Sequence, residues 1–169
     1  LVEVDSGVLV GINTGLANRL VLESIQGKKI EKLQGYSKVR TEVPYGRENS
    51  RIDILLESAD LRDCFIEVKN VSLGTSTGEG FFPDSVTVRG QKHLKELMSV
   101  KESGARAVLF FCVQHSKVES VAPAHDIDPV YAELLIEAIK CGVEVMAYRS
   151  EVDLVSSTIW LEKELPVKI

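Results

Sequence analysis

Asp53, Glu67 and Lys69 are the residues of this chain whose types and spacing point to chemistry. Asp53 closes the apolar-flanked run Arg51-Ile52-Asp53, and Glu67-Val68-Lys69 ends the next apolar run. An extended strand turns Glu67 and Lys69 to one face, because side chains alternate. If the strands carrying Asp53 and Glu67 pair as a hairpin, two carboxylates and one ammonium converge. Such a set suits a divalent metal and a phosphodiester. Hard cations such as Mg²⁺ take carboxylate oxygens and keep several waters for a substrate phosphate. A lysine beside them orients an attacking water or balances charge in the transition state. Spacing alone leaves open a plainer reading, in which the three residues mark where strands reach solvent.

The chain that must position them has 169 residues, close to one domain and long enough for a full core. Its 44% hydrophobic and 27% charged content is ordinary for a soluble globular protein. No apolar run approaches the ~20 residues of a membrane helix, and no signal peptide is visible. These features predict a cytoplasmic protein without a membrane partner. Cys64, Cys112 and Cys141 lie in or beside apolar segments, which predicts buried free thiols rather than a disulfide frame or a zinc site. A net charge of −5 disfavours coating of nucleic acid by bulk attraction. It still allows a local basic groove built from Arg47, Arg51, Lys69, Arg89, Lys92 and Lys95.

Hydrophobic periodicity orders the elements. Val8 to Ile12 reads as a strand, followed by a helix capped by Asn13 or Thr14 and stopped at Gly27. A second segment, Ile30 to Leu33, ends at Gly35. Strands are predicted over Ser37 to Val43, Arg51 to Glu57 and Cys64 to Val71, with Gly46, Asn49 and Ser50 among the residues between them. Gly74 to Gly80 reads as a mobile loop. A long helix follows, capped by Asp84 or Ser85 and running to about Glu102. Ala107 to Val113 and Val143 to Ala147 read as buried strands, with a helix starting at Pro129 between them. Ile159 to Leu161 reads as a short edge strand. Helix-linked strands run parallel with right-handed crossovers, so the expected fold is α/β, a mixed sheet with helices on both faces.

A meander carrying D…E-x-K between helices resembles the PD-(D/E)XK restriction-endonuclease-like core. The fuller resemblance is to the sugar fermentation stimulation protein A family of bacteria and archaea. It is carried by Asn13-Thr14, Ala17-Asn18-Arg19-Leu20, Glu42-Val43, Tyr45-Gly46, Ser50-Arg51-Ile52-Asp53 and Ile66-Glu67-Val68-Lys69-Asn70-Val71. Phe82-Pro83-Asp84-Ser85-Val86-Thr87, Arg89-Gly90-Gln91-Lys92-His93-Leu94, Gly142-Val143-Glu144-Val145 and Leu165-Pro166-Val167 continue it in order. The family pattern begins with a small OB-type barrel that this sequence lacks, so residues 1–169 are expected to form one nuclease-like domain. The Leu1 start suggests a fragment or a trimmed chain.

The resemblance implies a metal site of Asp53 and Glu67, joined by Glu23 from the first helix, holding Mg²⁺ or Mn²⁺. It implies Asp53, Glu67, Lys69 and Gln91 as catalytic residues, with Gln91 on a water or phosphate. DNA is the implied partner and a homodimer the candidate assembly. The alternative is a non-catalytic DNA-binding regulator of maltose metabolism genes, although no helix-turn-helix signal is visible. A phosphoryl-site enzyme acting on another substrate is a third reading. The literal Pro83-Asp84 pair follows Glu67 and so cannot be the motif aspartate. The resemblance also implies a Gln, Lys or His beside the site from the helix after the motif, a place that Gln91, Lys92 and His93 match by position. His93 alone reads more readily as a surface or core histidine, and His115 and His125 lack a carboxylate pattern for metal binding. Tyr45 and Arg47 suit either a turn or a sugar-phosphate contact. Trp160 reads as an edge contact.

Overall fold

The computed structural model describes residues 1–4, 7–46 and 50–169. It opens with an antiparallel ribbon of β1 (Val2–Val4) and β2 (Val8–Val10), followed by helix α1 (Thr14–Gln26). The Asn13 side chain accepts the Gly15 N–H at 3.1 Å, and Gly27 ends the helix, both as the sequence indicates. Then come β3 (Lys38–Tyr45), β4 (Ser50–Glu57) and β5 (Cys64–Val71). Short strands β6 (Leu73–Gly74) and β7 (Glu79–Phe82) precede α2 (Val88–Glu102) and β8 (Arg106–Val113). The chain closes with β9 (Ser120–Pro123), α3 (Pro129–Lys140), β10 (Glu144–Asp153) and β11 (Thr158–Leu165).

The main sheet has the order β11-β10-β8-β5-β4-β3. The α2 and α3 connections make β5, β8 and β10 parallel neighbours, while β3, β4 and β11 run antiparallel to theirs. β8 lies between two parallel strands and is buried almost throughout, which explains its unbroken apolar sequence. On one face, Leu94 and Leu97 of α2 and Leu135 of α3 pack with Ile52, Leu109 and Phe111. On the other, Leu20, Val21 and Ile25 of α1 pack with Ile54, Ile66 and Phe110. The fold is therefore the expected mixed sheet with helices on both faces.

Several details differ from the sequence reading. Residues 74–80 are not a structureless loop. Thr75 turns the chain tightly, accepting Gly78 N–H at 3.1 Å, and β6, β7 and β9 form a small separate sheet. Gly80 allows this packing, since a Cβ there would meet Val118 at 2.7 Å. α2 starts at Val88, not at Asp84 or Ser85, because the Thr87 hydroxyl caps Gly90 N–H at 3.0 Å. β10 and β11 run longer than their apolar cores suggest, since they pair with each other along an edge. Cys64 and Cys112 are buried free thiols, but Cys141 is exposed just past α3. Among the described residues, no helix is long and apolar enough to cross a membrane.

Asp128 locks the two crossover helices together. It caps α3 through Tyr131 N–H at 2.9 Å, with Pro129 at the first helical position as expected. Its other oxygen accepts Thr87 N–H at 2.9 Å, at the start of α2. Desolvation pushes its carboxyl up, but the donors of Thr87, Tyr131 and Gln91 outweigh that and hold it below the ordinary range. Asp128→Ala should cost about 2–4 kcal/mol in urea unfolding, from a lost cap and orphaned donors. A carboxyl held low stabilises the fold at pH above its unfolded value. That contribution disappears as pH falls through the native value, so wild type and variant should converge in acid.

Candidate active site

The site forms where the sheet loses regularity. β3 and β4 pair on both sides of Glu42 and Asp53 but not at that step, and Glu42 has a left-handed φ of 53°. β4 also parts from β5 here, since their pairing ends at Ile54 opposite Ile66. Asp53 fills the gap with its side chain. Its Oδ2 accepts the Val68 N–H at 2.7 Å, replacing a ladder carbonyl. Its Oδ1 accepts the Asn18 amide of α1 at 2.7 Å.

β5 supplies the other two expected residues. Glu67 and Lys69 share a face and line the same cleft of about 610 Å³ as Asp53. Glu67 is only 2% exposed. Its Oε1 accepts from Lys69 Nζ at 2.6 Å and pairs with His93 Nδ1. Its Oε2 is buried without a hydrogen-bond partner. The Arg89 Nε donates to His93 Nε2 at 3.4 Å, so a cation and an imidazole of α2 line up with the Glu67 carboxylate of β5.

The two carboxyls are displaced in opposite directions. Burial, then the charge of Glu67, push Asp53 up to about 6, against the pull of Val68 N–H, Lys69 and Asn18. Burial also acts to raise Glu67, but the hydrogen bond from His93 and the charge of Lys69 outweigh it and hold the carboxyl low. Glu67 is thus the settled anion, and Asp53 carries the cost of standing near it.

The arrangement fits a hard cation with few protein ligands. Glu67 Oε2 has no hydrogen-bond partner, and Asp53 lines the same cleft with no cation bonded to its carboxyl. Among the described residues, no three His, Cys, Asp or Glu side chains are grouped to enclose a metal. A closed zinc-type site is therefore absent from that set, whereas a partly hydrated Mg²⁺-type site needs only one or two carboxylates.

Two expected site residues lie elsewhere. Glu23 is exposed and pairs with Arg19 at 2.9 Å. It sits five residues after Asn18, roughly 140° further round the helix, so α1 cannot turn both inward. Thr14, Gly15, Ala17 and Asn18 of α1 line the cleft, and Asn18 bonds Asp53. Gln91 donates to both oxygens of Asp128, at 2.9 and 3.1 Å, and serves the helix junction. His93, read from sequence as surface or core, takes the place expected of Gln91. The available signal was the four-residue spacing of Arg89 and His93, which puts both on one helix face.

Among the expected groove cations, Lys69 and Arg89 line the cleft, while Lys92 and Lys95 line a neighbouring hollow. Arg51 is exposed and reaches the Glu42 carbonyl at 3.5 Å, and Arg47 and Asn49 lie outside the described residues. Tyr45 turns inward, its ring 6.0 Å from Phe65, rather than towards a backbone. His115 is buried with its Nδ1 accepting Lys117 N–H at 3.4 Å, and His125 is exposed.

A raised aspartate destabilises the fold as pH climbs, because the native state must give up a proton that it holds more tightly than the unfolded chain. In chelator, stability should fall between pH 4 and pH 7 by on the order of 2–3 kcal/mol from Asp53 alone. Asp53→Asn should flatten that fall, and Mn²⁺ should restore stability at pH 7 in wild type only. Thermal melts at both pH values check this. An unchanged slope in the variant would remove Asp53 as its source.

Comparison with known proteins places this geometry in a family. Residues 15–156 match the family model described as the sugar fermentation stimulation protein RE domain. A sugar fermentation stimulation protein homolog of Shewanella loihica is 53% identical over 165 residues, covering 98% of this chain and 69% of the relative. One from Pseudoalteromonas atlantica is 51% identical over 161 residues, covering 95% of this chain and 68% of the relative. The solved structure of Pyrococcus furiosus SfsA in complex with Ca²⁺ superimposes with a TM-score of 0.87 at 33% identity. It covers 98% of this chain and 69% of that one. The chain belongs to the sugar fermentation stimulation protein family.

Proposed function

We propose that this chain hydrolyses phosphodiester bonds in DNA with a divalent cation held by Asp53 and Glu67. The observation that carries the reading is two carboxyls of opposite displacement lining one cleft with a lysine. Mg²⁺ or Mn²⁺, when bound, polarises a phosphoryl oxygen and acidifies a coordinated water. The similarity to a relative solved with Ca²⁺, another oxygen-seeking cation, supports this assignment.

The chain's own residues divide the remaining work. Asn18 and Val68 N–H fix the Asp53 carboxylate from two sides. His93 holds Glu67 by Oε1, which leaves Oε2 for the cation. Lys69 Nζ lies 3.1 Å from His93 Nδ1 and 2.6 Å from Glu67. From there it orients the attacking water and stabilises the negative charge that grows on the phosphorane oxygens. Arg89 at the cleft wall binds a substrate phosphate.

Cleavage of labelled DNA in Mg²⁺ and Mn²⁺ tests the proposal. Asp53→Ala and Glu67→Ala should reduce turnover to background while the fold persists by circular dichroism. Lys69→Ala should lower kcat by about 10²–10³-fold. His93→Ala should cost roughly tenfold, and more at low cation concentration, because Glu67 loses its anchor. Binding that persists in chelator, with no cleavage under any divalent cation, would replace this reading with a non-catalytic DNA-binding regulator.

A further inference from the structure

The cleft has two lips, and each carries apolar side chains held out in solvent. The α1 lip presents Ile12, 66% exposed, just before Asn13. The facing segment lines the cleft with Phe82, Asp84 and Arg89, and between and beside these stand Val86 and Val88, 67% and 75% exposed, Val88 lining the second hollow. Among the described residues, only Leu154 and Val155, in the distant β10–β11 turn, are large hydrophobics this exposed. Single exposed aliphatics need no explanation, but Ile12 in the cleft lining and Val86 and Val88 on the segment that supplies its Asp84 and Arg89 are a patterned feature.

Helix α2 continues the pattern. Arg89 and His93 face the cleft, whereas Val88, Lys92 and Lys95 line a second hollow of about 380 Å³ alongside. Val88 is therefore the ridge between two hollows, with one cation before it and two beyond. A polyanion leaving the cleft past Val88 meets Arg89 on one side and Lys92 and Lys95 on the other, where the buried Glu96 shares the hollow.

In a duplex, base faces are stacked on one another and closed to side chains. An unpaired strand shows them, and it binds where apolar surface for bases alternates with cations for phosphates. We infer that the substrate enters this cleft as an unpaired nucleic-acid strand, with bases lying against Ile12, Val86 and Val88 and phosphates passing Arg89 towards Lys92 and Lys95. The inference rests on the phosphodiesterase reading above and names the form of its substrate.

Fluorescence anisotropy in Ca²⁺ compares a single-stranded oligodeoxynucleotide with the duplex of the same sequence, and 2-aminopurine in the strand reports unstacking. The single strand should bind at least about tenfold tighter, with a rise in 2-aminopurine emission. Combining Ile12→Asn, Val86→Asn and Val88→Asn should erase most of that preference, and Val88→Phe should increase it. All three side chains are exposed, and melting curves check that the variants fold. Equal or tighter duplex binding, or a preference untouched by the triple variant, overturns the inference. Cleavage in Mn²⁺ separates the two proposals. Efficient duplex cleavage by the triple variant retains the nuclease and discards the unpaired strand. Lip-dependent strand binding without cleavage does the reverse.

Discussion

The hydrogen bond from Val68 N–H to Asp53 Oδ2 is the contact on which the site depends. A sheet that stayed regular would pair that N–H with a carbonyl of β4 and close the gap. Instead β4 parts from β5 after Ile54, and a carboxylate takes over the donor. The opening is what gives the cleft depth between the two strands. A buried unmet N–H is expensive, so the aspartate is part of the architecture as well as a candidate ligand. The same contact ties the position of Asp53 to Glu67, since Val68 is the next residue along β5.

Electrostatic tension follows from that placement. Two carboxyls enter a partly desolvated cleft, and only for Glu67 do its partners outweigh the desolvation. Lys69 and His93 act on Glu67, so its charge persists and Asp53 is pushed upward. In a protein interior such a residual cost is ordinarily removed by pairing. Here a buried Glu67 oxygen stays without a hydrogen-bond partner and Asp53 stays raised beside it. The proposed divalent cation would complement these carboxyls, and Arg89 and Lys69 line the same cleft.

The fold was largely legible because its signals are local. The solid apolar run of β8, Pro129 at a helix start and Gly27 at a helix end each have one physical meaning. Glu67 and Lys69 on one face followed from strand alternation. What the sequence hid was rotation about helices and competition between caps. Asn18 rather than Glu23 faces inward, and His93 rather than Gln91, because packing of α1 and α2 chooses the face. Asp128 lies 37 residues beyond Gln91, and nothing local announces that it holds that amide. Thr87 displaced Asp84 as a cap for a similar reason, since its N–H is already anchored on Asp128. Small strands such as β6 and β9 were invisible because two to four residues carry too little pattern.

The central claim is that Asp53 and Glu67 share one cation. Anomalous diffraction from crystals grown with Mn²⁺ measures this directly. The account predicts a single strong peak within ligating distance of an Asp53 oxygen and of Glu67 Oε2, with Lys69 beside it. A fully occupied peak elsewhere, or none here at saturating Mn²⁺, would contradict it.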